Sequence, residues 1–202
     1  MKKTSLILVW IIALVFCGYA QEQKKEANRL FRIMKDYKFG YIDKIGRVVV
    51  QPQYENASST FSEGLVAVEV DKKWGYLDAT GKMVIPPQFN IAHAFSGGLA
   101  AVKIGTGCEL CGKWGFIDKT GKVVIEPQFE AVRDFSEGLA HFRAKAKSGF
   151  IDRTGKVIIE PKFDYANDFQ SGIAEVHLNC KGEICDIGYI DKTGKYVWKP
   201  TQ

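Results

Sequence analysis

The sequence predicts an all-β tandem-repeat protein of five antiparallel units, each of three to four strands. Three observations carry this. One aromatic-glycine motif recurs five times, a glycine-containing turn follows each copy, and the apolar residues alternate or cluster as in strands, with no helical period. The copies are Phe39-Gly40-Tyr41-Ile42-Asp43, Trp74-Gly75-Tyr76-Leu77-Asp78, Trp114-Gly115-Phe116-Ile117-Asp118, Ser148-Gly149-Phe150-Ile151-Asp152 and Ile187-Gly188-Tyr189-Ile190-Asp191. Their glycines lie 35, 40, 34 and 39 residues apart. A period of this size marks units that bury their apolar faces against their neighbours.

Each motif copy is the first strand of the pattern, strand A. The turn after it, Asp118-Lys119-Thr120-Gly121 in the third copy, suits a type I turn followed by a left-handed residue, which joins antiparallel strands. Its aspartate is a lone carboxylate that caps its own turn. A calcium loop would need several oxygen ligands together. Strand B follows, apolar at three consecutive positions, as in Val48-Val49-Val50 and Val157-Ile158-Ile159. Such a run implies cover on both faces.

From the proline after strand B to the next glycine, Pro127 to Gly138 for instance, the chain has room to run back along the unit. Gln128-Phe129-Glu130-Ala131-Val132 suits a short fourth strand there. Strand C then alternates. One face is apolar (Val66, Val68, Val70; Ala100, Val102, Ile104; Ala140, Phe142, Ala144; Ala174, Val176, Leu178), and the other carries Glu69, Lys103, His141 with Arg143, and Glu175 with His177. This reads as a half-exposed edge, and those six polar residues form the candidate binding face. Hairpins on both sides place strand A between C and B.

Leu30-Phe31-Arg32-Ile33 matches strand C, and Lys199-Pro200 matches Glu126-Pro127, so residues 29–202 hold five complete C-A-B units in one domain. A propeller-like ring of five small blades and an open twisted array both satisfy this pattern. In either, strand B is expected to lie buried between neighbours.

The repeated run Trp114-Gly115-Phe116-Ile117-Asp118, then Gly121-Lys122-Val123-Val124-Ile125-Glu126-Pro127-Gln128-Phe129-Glu130 and Phe135-Ser136-Glu137-Gly138-Leu139-Ala140, resembles the WG (KWG) β-repeat family. The resemblance covers nearly all of the chain after the N-terminal segment. It departs at Ser148 and Ile187, where tryptophan is expected. It implies a bacterial β-repeat protein and names no ligand.

The chain opens Met1-Lys2-Lys3, runs apolar from Leu6 to Phe16 and reaches Gly18 and Ala20. This is the order of a secretory signal, residues 1–20, cleaved after Ala20, with residues 21–28 a polar linker. The apolar run is short of the ~20 residues a membrane-spanning helix needs, so the mature chain is expected to have no transmembrane helix. Cys17 raises the alternative of a lipid anchor, which bulky Phe16 before it disfavours. The expected location is outside the cytoplasm: periplasmic, cell-surface or secreted. Losing Lys2 and Lys3 lowers the formal charge from +5 to +3. That balance is too mild, and its cations too interspersed with acids, for a nucleic-acid binder.

Cys108, Cys111, Cys180 and Cys185 sit in the two lengthened C-to-A hairpins. An even number of cysteines paired across hairpins in an oxidising compartment reads as two local disulfides. A four-cysteine zinc site or a redox pair are the alternatives. His93, His141 and His177 occupy no common repeat position, and each reads as decoration of an exposed face. No catalytic or metal residues and no cofactor are expected. The function expected is that of a non-enzymatic exported scaffold binding a protein or cell-envelope ligand. The alternative is a carbohydrate-binding or carbohydrate-active protein, for which Trp74 and Trp114 would have to be solvent-accessible beside carboxylates.

Overall fold

The computed structural model describes residues 29–106 and 111–200. The signal, its cleavage after Ala20, Cys17 and Cys108 lie outside the described residues. Residues 29–106 and 111–200 form strands, turns and loops, arranged as five antiparallel sheets.

The first sheet is β1 (Phe31–Lys35), β2 (Lys38–Ile42) and β3 (Val48–Tyr54); the second is β4 (Leu65–Val70), β5 (Lys73–Asp78) and β6 (Met83–Phe89). The third adds a two-residue leading strand, β7 (Ile91–Ala92), to β8 (Ala100–Ile104), β9 (Lys113–Ile117) and β10 (Val123–Phe129). The fourth repeats this with β11 (Ala131–Val132), β12 (Leu139–Ala144), β13 (Lys147–Asp152) and β14 (Val157–Phe163). The fifth is β15 (Tyr165–Ala166), β16 (Ile173–Lys181), β17 (Ile184–Asp191) and β18 (Tyr196–Trp198). Strand A lies in the middle of each C-A-B set, as its two hairpins require.

Local chemistry explains these turns. In each A-to-B turn the aspartate Oδ1 accepts two backbone N–H groups; for Asp118 these are Thr120 N at 2.9 Å and Lys122 N at 3.1 Å. The Asp118 carboxyl is held below the usual range, first by the hydroxyl of Thr120 and then by those N–H groups. The C-to-A hairpins at Asp36-Tyr37, Asp71-Lys72 and Lys145-Ala146 place two consecutive residues at φ near +50° and +60°. Both residues then lie in the left-handed region, as in the type I′ turn that matches strand twist.

The motif glycine is a packing residue. A Cβ on Gly115 would sit 2.5 Å from the carbonyl oxygen of Ile125, and Gly40, Gly75 and Gly149 meet the equivalent oxygen at the same 2.5 Å. Strand B bulges across strand A there, so only a hydrogen fits. The aromatic next to it meets the phenylalanine of the following loop: Tyr76 with Phe95 at 5.0 Å, Phe116 with Phe135 at 4.9 Å, Phe150 with Phe169 at 4.8 Å.

Four cores lie between consecutive sheets. Tyr41, Val50, Val66 and Val68 join the first and second; Tyr76, Ile85, Ala100 and Val102 the second and third; Phe116, Ile125, Ala140 and Phe142 the third and fourth; Phe150, Ile159, Ala174 and Val176 the fourth and fifth. No core cluster among the described residues joins the fifth sheet to the first. Of the two expected architectures, the packing therefore fits the open array. Polar rungs repeat along it: Ser62, Ser96 and Ser136 each donate to the carbonyl of the phenylalanine one loop further on, Phe95, Phe135 and Phe169, at 2.6, 2.6 and 2.7 Å.

Two expectations need correction. Strand C is an edge in the first two sheets only; in the other three the leading strand pairs with it, as where Ala131 faces Arg143 and Val132 faces Phe142 in register. Strand B is not buried on both faces. It is the outer edge of each sheet. Val124, Val157 and Ile158 are exposed, and in the first four sheets the third residue of the run, such as Ile125 or Ile159, is the one fully buried in a core. The bulge turns one residue inward, and an edge position tolerates the proline, which has no N–H to donate.

Candidate functional site

The six polar residues expected on strand C do not form one exposed face. In register they lie opposite strand A, on the side of each sheet that meets the next one. Glu69 accepts from the Asn56 amide at 2.5 Å and lines a cleft of about 480 Å3 with Lys38, Tyr54, Glu55 and Lys72. Lys103 stands over the Trp114 ring, 5.9 Å from its centre. Arg143 is half-buried and donates to the Ala146 carbonyl at 3.1 Å.

His141 overturns its expected exposure outright, being only 4% exposed. The reason is a volume exchange within the motif. The second and third sheets hold Ala67 with Trp74 and Ala101 with Trp114 at equivalent register positions, whereas the fourth holds His141 with Ser148. The small and large residues have traded places. His141 Nε2 lies 2.9 Å from Ser148 Oγ, and its Nδ1 has no partner among the described residues. Burial, with Arg133 and Arg143 nearby, pushes its pKa down to about 4. The separation suits a nucleophile and base, but Ser148 is fully buried.

Glu175 and His177 do come together, on the last sheet. Glu175 Oε1 lies 2.9 Å from His177 Nε2 and accepts from Asn167 Nδ2 at 3.0 Å; its other oxygen accepts from Tyr189 OH at 3.1 Å. The His177 bond, first among these, holds the Glu175 carboxyl below its ordinary pKa.

The positioning elements for the rest are the leading strands. Each sits on one edge of its sheet, and the residue after it reaches the next sheet. His93 Nδ1 lies 2.9 Å from Asp134, and Arg133 lies 3.5 Å from Asp168 while also bonding to Tyr165 OH. The result is a rim of alternating basic side chains and carboxylates along one side of the array. At its end Arg133, Asn167, Asp168, Ser171, Glu175 and Tyr189 line a cleft of about 420 Å3. Asp168 Oδ1 is buried there without a donor among the described residues. Burial raises its pKa against the opposing pull of Arg133. Of this cleft, only Glu175 was among the residues expected from sequence.

Cys180 and Cys185 are joined in a disulfide across the β16–β17 hairpin. Cys111 is disulfide-bonded as well, and its expected partner Cys108 lies outside the described residues. Trp114 is 9% exposed and sits in the core between the third and fourth sheets, while Trp74 packs half-buried against the preceding core. The exposed indole is instead that of Trp198, 55% exposed on the last strand.

A family model described as "WG containing repeat" matches residues 39–74, 74–106, 114–145 and 149–179. The chain belongs to the WG-repeat family. The matched windows run from one strand A to the next strand C, so the fifth strand A falls outside them although it builds the last sheet. No curated protein matches the chain. Among solved structures it is similar to one titled "Crystal structure of the eukaryotic initiation factor", at 11% identity and a TM-score of 0.55. The match covers 86% of this chain and 52% of that one, so the chain spans about half the length of the structure it resembles. At that identity the likeness concerns fold alone.

Proposed function

We propose that this WG-repeat protein is a non-catalytic, exported binding scaffold that takes a polypeptide segment of a cell-envelope partner in the cleft that Arg133 of the fourth unit forms with the far side of the fifth sheet. The observation that carries the reading is Asp168. Its buried Oδ1 lacks a donor beside Arg133, Glu175 and Asn167, an arrangement that suits a ligand bringing N–H groups or a cation together with carbonyl oxygens. An acceptor left unpaired in a buried position costs about 1–3 kcal/mol, so a ligand that supplies the donor recovers that cost. The histidines favour binding over catalysis: His141 and Ser148 are buried, and His93 and His177 are each paired with a carboxylate.

The test is site-specific photo-cross-linking in the intact envelope. A photoreactive residue at Ser171, in the cleft, should capture one discrete partner; the same residue at Val124, on the outer edge of the third sheet, should not. Equal capture at both positions, or none at Ser171, would sink the reading.

The sugar-binding alternative loses Trp74 and Trp114 to packing. It now rests on Trp198, which faces Tyr189 across β17–β18, with Glu175 facing Tyr189 in turn. Indole fluorescence titrated with soluble peptidoglycan fragments separates the two readings. A saturable change abolished by Trp198→Ala would favour sugar.

A further inference from the structure

The two ends of the array differ in kind. On the last sheet, the side that a sixth unit would cover carries Glu175 and His177 among the exposed Ile173, Ile187 and Trp198, and Glu175 stands where the second and third sheets have Ala67 and Ala101. That side mixes ion-pairing groups with apolar ones. Among the described residues the first sheet's exposed side is apolar and cationic instead. Its outer side presents Phe31, Ile33, Ile42 and Val48, which are neighbours in register.

Equivalent positions elsewhere are covered by the preceding sheet. Phe31 and Ile42 correspond to Ala100 and Ile117, to Ala140 and Ile151, and to Ala174 and Ile190, all of them at most 1% exposed. In the first sheet Phe31 is 43% exposed and Val48 48%. The open end also bears the larger side chain, phenylalanine in place of alanine. Two further exposed apolar residues, Tyr37 and Ile45, stand at the two hairpin tips that bound the face.

Charge identifies the occupant. Residues 29–48 hold Arg29, Arg32, Lys35, Lys38, Lys44 and Arg47 against Asp36 and Asp43, a net of +4. The whole chain after residue 20 nets +3, so the remainder is slightly negative and the first sheet is the cationic pole. Lys35 and Lys38 pair in register on the same side as Phe31 and Ile33. Two copies meeting through this face would set Arg29, Lys35 and Lys44 against the same cations of the other copy. At the far end Glu175 and His177 interrupt the exposed Ile173, Ile187 and Trp198, so that side is not a continuous apolar partner.

We propose that the outer face of the first sheet docks on an anionic lipid bilayer, with Phe31, Ile42, Val48 and the hairpin-tip side chains Tyr37 and Ile45 entering the interface and Lys35, Lys44 and Arg29 meeting the head groups. Aromatic and aliphatic side chains ringed by cations bind anionic interfaces through apolar burial plus attraction that falls off within a Debye length.

The experiment is co-sedimentation of the processed protein, its N-terminus checked by mass, with vesicles of phosphatidylcholine alone or mixed with phosphatidylglycerol. Binding is expected only to the anionic vesicles. It should fall about ten-fold or more in Lys35→Glu/Lys44→Glu and comparably in Phe31→Ser/Val48→Ser, with thermal midpoints checked so that unfolding is not the cause. Ile184→Ser, at the opposite end, should bind as the unaltered protein does. No affinity for anionic vesicles overturns the proposal. So does binding that ignores Phe31→Ser/Val48→Ser, which would mean loose charge attraction or another segment. A dimer in solution that these two variants dissociate would assign the face to a second copy instead.

Discussion

Acid should weaken this fold through His141 in particular. In the folded protein its pKa is held near 4, against an ordinary value of 6.5. Between those two values the unfolded chain binds a proton that the folded chain refuses, so stability rises with pH there. The contribution is complete above about pH 6.5 and is lost as pH falls toward 4. For one site with these two pKa values the loss works out at about 2 kcal/mol at pH 5 and about 3 kcal/mol at pH 4. Other groups titrate in the same range, so the assay must be differential. The comparison protein is His141→Ala/Ser148→Trp, which rebuilds the Ala–Trp arrangement of the second and third sheets. Urea midpoints would be measured for both proteins from pH 8 to pH 4. The gap between them should open in favour of the double variant as pH falls through 6.5, while His141→Ala alone should be destabilised by about 2–3 kcal/mol through its cavity. Parallel pH profiles for the two proteins would refute the reasoning.

Three other outcomes follow from the same structure. Gly115→Ala drives a Cβ into the Ile125 carbonyl at 2.5 Å and should cost roughly 3 kcal/mol or more, whereas at Gly188 the nearest atoms, a Tyr196 ring carbon and the Trp198 carbonyl oxygen, stand at 3.2 and 3.3 Å and Gly188→Ala should cost much less; chemical denaturation of the two variants checks the contrast. Ala146→Gly removes a non-glycine residue from φ +60° and should stabilise by about 1 kcal/mol, visible as a raised thermal midpoint. Reducing the Cys180–Cys185 bond opens a short loop and should cost on the order of 2 kcal/mol, read from the denaturation midpoint of a Cys180→Ser/Cys185→Ser variant against the oxidised protein.

What was legible from sequence was what is decided within a few residues. The Asp-x-x-Gly turns, the strand A glycine and the A-between-C-and-B order all follow from local sterics and hairpin logic, and the structure has them. The misreadings have one source, pairing that depends on distant residues. Strand C read as an edge because its partner strand, Ala131–Val132 for the fourth sheet, is only two residues long and carries no periodic signal of its own. Strand B read as doubly buried because a bulge, not its apolar run, decides which residue turns inward. His141 read as exposed because its alternation was considered without Ser148, although the loss of tryptophan at that position in the same unit was the available clue. The cleft draws Arg133, Asn167, Asp168, Glu175 and Tyr189 from two strand-to-strand connections and two strands. No contiguous motif holds them. Trp198 was recoverable: its strand belongs to the last sheet among the described residues, where no further sheet covers it.

The reading of the protein as a scaffold with one ligand cleft meets its most direct test in hydrogen exchange of the processed protein, alone and with the partner captured through Ser171. Slowed exchange confined to residues 167–177 and the backbone around Arg133 and Tyr189 is the predicted result. Protection confined to the outer edge strands, or spread evenly over all five sheets, would contradict it.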